Sequence, residues 1–169
     1  MPQKTSTASP GVGILSEAQS QKRAEIVELL TRAYWMEAET VLSYLANAAN
    51  LDGIRAEEIA EALDADVEEE LGHARKFAGR IKDLYGTPPG SMDFTAEQSY
   101  LQPLEDSTDV ATVIKGVIEA EAGAIEHYNR IIEACDGVDW ATQDMVIDIL
   151  RDEENHLRTF ERYLKEFAS

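Results

Sequence analysis

Four stretches of this chain repeat apolar residues at three- and four-residue steps, and each sets a glutamate inside its apolar stripe. The first stripe runs Ile26, Leu30, Ala33, Glu37, Val41, Tyr44 and Ala48, and the second Ile59, Leu63, Val67, Glu70, Ala74, Phe77 and Ile81. The third runs Val110, Val113, Val117, Glu121, Ile125, Tyr128 and Ile132, and the fourth Val146, Ile149, Glu153, Leu157, Phe160 and Leu164. Such steps return side chains to one face of a helix, so each stretch reads as an amphipathic helix facing a shared core. No convincing strand competes, and the fold class is all-α.

The breaks between stripes set the topology. The first helix ends near "NLDG", where Gly53 can act as a stop, and the second, over about 56–85, is broken by "YGTPPGSMDF". The third ends by Gly137. Residues 86–107 form a connection too long for a turn, with one short helical turn expected around 95–101. Two short connections and one long central one predict a four-helix bundle with a single crossover between the second and third helices. Residues 1–15, rich in Ser, Thr, Pro and Gly, read as a disordered tail, and 16–169 as one domain.

Charge narrows the partners. The formal net charge is −18 and the pI about 4.4, which repels nucleic acid and anionic lipid at long range. Cations such as Arg75, Lys76, Arg80 and Lys82 are scattered without forming a run. The acidity suits either a salt-rich cytosol or the attraction of cations. Cys135 is the lone cysteine, so no intrachain disulfide forms, in keeping with a reducing compartment. The N-terminal segment lacks the apolar core of a secretory signal, and no stretch approaches the roughly 18 apolar residues of a membrane span. A soluble, cytoplasmic protein is expected.

The striped glutamates carry the chemistry. Glu70 is followed three residues later by His73 in "ELGH", and Glu153 by His156 in "EENH", so each pair projects from one helix face. Four carboxylates around an apolar core repel one another and are costly to desolvate. Two divalent cations would balance their four charges, with the imidazoles completing the coordination. One Glu-x-x-His in so acidic a chain is near chance; two on separate stripes, with Glu37 and Glu121 at matching depth, are not. Oxygen and nitrogen donors without thiolate suit iron or manganese, with zinc as an alternative occupant.

Neighbouring residues divide by their position around each helix. Glu39, Glu68 and Glu154 fall off the stripes and are expected in solvent. Glu69 and Asp152 each precede a striped glutamate. They are either exposed or accept a hydrogen bond from a histidine on the neighbouring helix, Asp152 from His73 and Glu69 from His156. Tyr44 is either a core aromatic or a redox-active phenol. His127 and Trp35 are expected at an outer face or subunit contact, and Cys135 as an ordinary small residue.

The segments "EAETVLSY", "EAGAIEHYNRII" and "DMVIDILRDEENH" resemble the bacterioferritins of the ferritin-like superfamily over most of residues 25–167. The resemblance implies metal ligands at Glu37, Glu70, His73, Glu121, Glu153 and His156, with the family's tyrosine at Tyr44. Glu70 and Glu153 would each bind one metal with their histidine, while Glu37 and Glu121 bridge or cap the pair. It implies a ferroxidase that oxidises Fe(II) with dioxygen or hydrogen peroxide for iron storage and oxidative-stress detoxification. Leu71 stands where bacterioferritins ligate haem with methionine, so haem is not expected. A chain ending just after the fourth helix, with a longer crossover, is similar to Dps-like proteins that keep a bacterioferritin-type site. These imply a homo-oligomeric shell of twelve subunits over twenty-four, with a dimer as the alternative. Gly123 replaces one of the cysteines those proteins often carry near the site, so thiol-linked chemistry is not expected. Lys4 is the only cation before Lys22 and Arg23, so no DNA-binding tail is expected either. The competing enzyme reading on the same scaffold is a di-iron peroxidase or manganese catalase that builds no storage cage. A rubrerythrin would add a Cys-x-x-Cys domain and a further glutamate one turn beyond Glu121, where Ala124 stands.

Overall fold

The structure is a computed structural model and describes residues 11–167. Four long helices, α1 (Ser20–Asn50), α2 (Ile54–Asp83), α3 (Val110–Cys135) and α4 (Trp140–Phe167), account for most of it. Among the described residues there is no strand. Helix α1 packs chiefly on α2 and α3 chiefly on α4, which makes two antiparallel hairpins. The long segment between α2 and α3 joins them, so the expected all-α bundle with one crossover is the observed fold.

Local chemistry sets the helix ends. Asp109 caps α3 by accepting the backbone N–H of Thr112 at 3.1 Å and the Thr112 hydroxyl at 2.7 Å. Asp139 repeats the device before α4, accepting from the Thr142 backbone at 3.1 Å and from its hydroxyl. Arg80 of α2 donates to Asp139 at 2.8 Å and to the Thr142 hydroxyl at 2.7 Å, tying that cap to the other hairpin. Gly53 (φ 109°) and Gly137 (φ 70°) supply the left-handed backbone of the two short connections.

The expected disordered tail differs from the structure at its inner end. Residues 1–10, including Lys4, lie outside the described residues. At 11–15, Gly13–Leu15 form a 3-10 turn, and Ile14 and Leu15 pack against the core. Arg23 clamps this turn by donating to the carbonyls of Ile14 and Ser16 at 2.9 Å each. Two apolar side chains beside an open end of the core are enough to order the segment.

The core has two apolar layers with a polar layer between them. Ile26, Leu30, Phe77, Ile81, Tyr128 and Ile149 belong to one layer, and Tyr44, Leu63, Val67, Val117 and Phe160 to the other. The four striped glutamates fall between, because each interrupts its stripe at the same depth.

The crossover is strapped along α1 and α3. Glu39, expected in solvent, is buried, and its carboxylate accepts the backbone N–H groups of Glu97 (2.8 and 3.0 Å) and Gln98 (2.7 Å). The crossover covers that flank of α1, and the stripe pattern carries no sign of it. Asn47 and Asn50 donate to the carbonyls of Leu101 (2.9 Å) and Leu104 (3.0 Å). The segment contains two 3-10 turns, Ser91–Asp93 and Ser99–Leu101, where one turn at 95–101 was expected. On the α3 side it rests on Gly116, where an added Cβ would stand 2.6 Å from the carbonyl oxygen of Tyr100. Gly116→Ala must therefore push the crossover outward, a backbone displacement that costs about 1–3 kcal/mol. The expected result is a lower thermal midpoint by circular dichroism; an unchanged midpoint would show that the crossover is not held against α3.

Candidate metal centre

The polar layer brings together all six of the charged side chains singled out in the sequence. Glu37, Glu70, His73, Glu121 and Glu153 are 1–2 % exposed and His156 is 8 % exposed, so the set lies inside the bundle. It resolves into two donor groups. Glu37, Glu70, His73 and Glu153 form one, and Glu70, Glu121, Glu153 and His156 the other; within each, the donor atoms lie within 4.8 Å of one another.

Individual distances show how the groups interlock. His73 Nδ1 stands 3.8 Å from Glu37 Oε1, 3.4 Å from Glu70 Oε2 and 3.0 Å from Glu153 Oε1. His156 Nδ1 stands 3.2 Å from Glu70 Oε1, 3.9 Å from Glu121 Oε1 and 3.4 Å from Glu153 Oε2. Glu70 and Glu153 therefore turn one oxygen to each group, whereas Glu37 and Glu121 belong to one group apiece. Glu70 and Glu153, expected to serve one position each with their own histidine, face both groups instead, and Glu37 and Glu121, for which bridging or capping was open, each face one.

The donor atoms fit cations better than they fit each other. Both oxygens of Glu70, Glu153 Oε1 and the Nδ1 atoms of both histidines are buried with no hydrogen-bond partner among the described residues, although they stand 3–4 Å apart. Polar atoms at that separation without hydrogen-bond alignment converge on shared points in space. Unpaired buried groups of this kind are costly unless a ligand satisfies them. Carboxylate oxygens with one imidazole nitrogen per group form a donor set that could hold two hard or borderline divalent ions.

Without cations the layer balances its charge by moving protons. Burial, followed by repulsion from Glu70 and Glu153, raises Glu37 well above the carboxylate range, and burial with the same two neighbours raises Glu121. Burial also opposes charge on Glu70, but the adjacent His156 and His73 imidazoles outweigh it and pull Glu70 down to about 2. Burial opposes the charging of both histidines too. Glu153 and Glu70 overcome it, lifting His73 to about 10 and His156 to about 12. Without cations Glu37 and Glu121 thus hold protons more tightly than Glu70 and Glu153 do, and both imidazoles favour the charged form, so cation binding must displace protons.

The outer nitrogen of each histidine is anchored on the opposite helix. His73 Nε2 of α2 lies 3.3 Å from Asp152 of α4, and His156 Nε2 of α4 lies 3.2 Å from Glu69 of α2. Both pairings that the sequence left open are present, Asp152 from a half-buried position and Glu69 from an exposed one, and they aim each Nδ1 inward. Glu68 and Glu154 are exposed, as expected.

Two tyrosines hold the outer glutamates. Tyr44, fully buried, donates to Glu121, and Tyr128, also fully buried, donates to Glu37. Burial and the adjacent carboxylates push both phenols well above their ordinary value, so both stay protonated as donors. Tyr128 was read only as a stripe residue. The signal for its role was available, since Tyr44 follows Glu37 and Tyr128 follows Glu121 at the same spacing. His127 was expected on an outer face, yet it is buried and its Nε2 donates to the Leu29 carbonyl of α1 at 2.9 Å. The packing of α3 against α1 covers that side of the helix. Trp35 packs at a tilt against Tyr34 and Phe94, and Cys135 is a buried core residue.

Comparison with known proteins gives the family and agrees with the fold. The ferritin-like domain family matches residues 27–169. Bacterioferritin of Desulfovibrio desulfuricans is 26 % identical over 141 residues, covering 83 % of this chain and 74 % of the relative. The X-ray structure of D. desulfuricans bacterioferritin, which captures a diiron site in different catalytic states, aligns with a TM-score of 0.76 at 23 % identity over 88 % of this chain and 83 % of that one. The DNA protection during starvation protein of Pyrococcus furiosus is 27 % identical over 142 residues, covering 83 % of this chain and 77 % of the relative. A dodecameric thioferritin from Bacteroides fragilis aligns with a TM-score of 0.73 at 23 % identity, covering 86 % of this chain and 88 % of its own.

The raised carboxyls give a test that needs no metal. Glu37 binds its proton more tightly folded than unfolded, so its contribution to stability is full below the unfolded value near 4.3 and is lost as pH rises. At pH 7 the wild-type side chain therefore opposes folding, and Glu37→Gln removes that opposition while keeping an acceptor for Tyr128. Metal-free Glu37→Gln is expected to show a higher urea midpoint than wild type at pH 7, with the gap closing towards pH 4. A lower midpoint at pH 7 would mean that Glu37 is ionised and stabilising in the metal-free protein.

Proposed function

The chain belongs to the ferritin-like domain family, and on that premise we propose that it is a ferroxidase, oxidising Fe(II) at a pair of positions inside each subunit. The observation that carries this reading is the sharing of Glu70 and Glu153 between two donor groups that each contain one histidine. Such sharing fits two ions held side by side, which is what a two-electron oxidant requires.

In this reading iron is the substrate. Glu70 and Glu153 bridge the two positions, Glu37 and His73 complete one, and Glu121 and His156 complete the other. Two ferrous ions give up one electron each, matching the two-electron reduction of hydrogen peroxide to water or of dioxygen to hydrogen peroxide; taking dioxygen all the way to water needs a second such turn. The protein's part is positional. Asp152 and Glu69 fix the imidazole planes, Tyr44 and Tyr128 hold the capping carboxylates, and the apolar layers above and below exclude other reactants. Oxygen and nitrogen donors serve iron in this role, and would also accept manganese or zinc.

We also propose that the chain assembles into a hollow homo-oligomer that stores the oxidised iron, with twelve subunits, the number in the dodecameric B. fragilis relative. Leu42 (61 % exposed) and Leu45 (43 % exposed) on α1 supply apolar surface for subunit contact. The net charge of −18 favours attraction of ferrous ions to such a shell. Among the described residues no helix is long and apolar enough to cross a membrane.

Glu153→Ala removes a donor common to both positions. Stopped-flow absorbance after aerobic addition of ferrous salt is expected to show the initial oxidation rate falling by about 100-fold or more, at the upper end of losses known for groups that merely support a metal site. Far-UV circular dichroism should be unchanged, because the variant relieves crowding of carboxylates. An undiminished burst would refute the assignment. Particle mass by light scattering separates the storage reading from a dimeric peroxidase or catalase: a dimer would rule out the cage.

A further inference from the structure

The oxidant needs a way in, and the two sides of the metal centre differ. On the α2/α4 side the histidines and their anchors Asp152 and Glu69 form a continuous polar wall. On the α1/α3 side the metal centre opens into a small cavity lined by all four of its carboxylates and by Met36 and Thr40, with Gln98 at its edge. Gln98 is not on a helix of the bundle. It comes from the crossover.

Three observations single out this residue. Gln98 is 5 % exposed, far more buried than a glutamine on a connecting segment usually is. Its position is fixed at both ends: the backbone N–H donates to Glu39 at 2.7 Å, and the side-chain Nε2 donates to the Thr40 hydroxyl at 2.7 Å. Its Oε1, by contrast, is buried without a hydrogen-bond partner among the described residues. A buried acceptor held in place and left unpaired is unfavourable unless a small molecule donates to it. The cavity has a volume of ≈ 10 Å³ for the centre of such a molecule, about what one water needs, so of a peroxide it takes the one O–H group that meets Gln98.

We infer that Gln98 is the oxidant-binding residue of this protein, its amide oxygen accepting an O–H of hydrogen peroxide in the cavity on the α1/α3 side. The chemistry discriminates between oxidants. Hydrogen peroxide carries two O–H donors, whereas dioxygen has no hydrogen to give, so an unpaired acceptor favours the peroxide. Between turnovers a water molecule satisfies the same oxygen. In the reaction each of two ferrous ions loses one electron, the O–O bond of the peroxide breaks, and two protons from solvent complete two waters. Glu39 acts as a positioning residue, since its carboxylate holds the crossover backbone from which Gln98 enters the cavity.

This inference rests on the ferroxidase reading, and the test separates the two. Gln98→Met keeps the length and bulk of the side chain and removes the acceptor, while Gln98→Glu keeps an oxygen at the same place. Anaerobic protein loaded with ferrous ion is mixed with hydrogen peroxide or with oxygenated buffer, and the ratio of the two initial rates is read. The ratio is expected to fall by about tenfold in Gln98→Met, the effect of one lost hydrogen bond, and to stay within about twofold of wild type in Gln98→Glu. An unchanged ratio in Gln98→Met, or rates that fall equally with both oxidants, would overturn the role of Gln98 and leave the ferroxidase reading standing. A wild-type protein that oxidises iron with neither oxidant would overturn the ferroxidase reading itself. A second measurement needs no variant and no iron: crystals of the metal-free wild type should show an ordered water within hydrogen-bond distance of Gln98 Oε1. A dry cavity there would also overturn the proposal.

Discussion

The structure depends on burying four carboxylates in the middle of a helical bundle. Ions of like charge in an apolar interior repel one another and lose their hydration, which would unfold most domains of this size. Here the difficulty is confined to one layer. Apolar packing above and below supplies the stability, while in the polar layer two histidines offset the carboxylates and burial favours protons on Glu37 and Glu121. The same layer that is tolerable with protons is better suited to cations, because cations also satisfy the buried atoms that hydrogen bonds leave unpaired. Proton and metal therefore compete for one set of groups.

Two related hairpins build this layer. Glu37 and Tyr44 on α1 match Glu121 and Tyr128 on α3, and Glu69, Glu70 and His73 on α2 match Asp152, Glu153 and His156 on α4. Each tyrosine reaches across to the glutamate of the other hairpin, and each histidine reaches across to an acid of the other hairpin. No half contains a complete centre. Folding the two hairpins together and assembling the site are the same event, which explains why the contacts between α1 and α3, and between α2 and α4, are polar where they cross the middle.

Much of this was legible in the sequence because helical periodicity and ligand spacing are local properties. A stripe with one glutamate at its centre announces both the helix and the direction in which the carboxylate points, so Glu37, Glu70, Glu121 and Glu153 could be placed together. The outward anchoring of His73 and His156 on the acid preceding each glutamate was one of two readings the sequence left open, because the spacing alone does not say whether those acids reach a neighbouring helix. What escaped were residues whose surroundings come from elsewhere in the chain. Glu39 looks solvated on α1 until the crossover is laid over it, and Gln98 has no periodicity to mark it. His127 looked external for the same reason, since the neighbour that covers it lies about a hundred residues away in sequence. Ile14 and Leu15 were assigned to a tail because low-complexity composition hides two apolar residues that find the core.

The crossed anchoring of the histidines has a mechanical side. Each imidazole grows from one helix and is braced by the other, so α2 and α4 cannot slide past each other without tilting both rings. The separation of the two positions is consequently gauged by the register of this helix pair, like the jaws of a caliper set by a single screw. A distant disturbance that shifts α2 along α4 would be felt equally at both jaws.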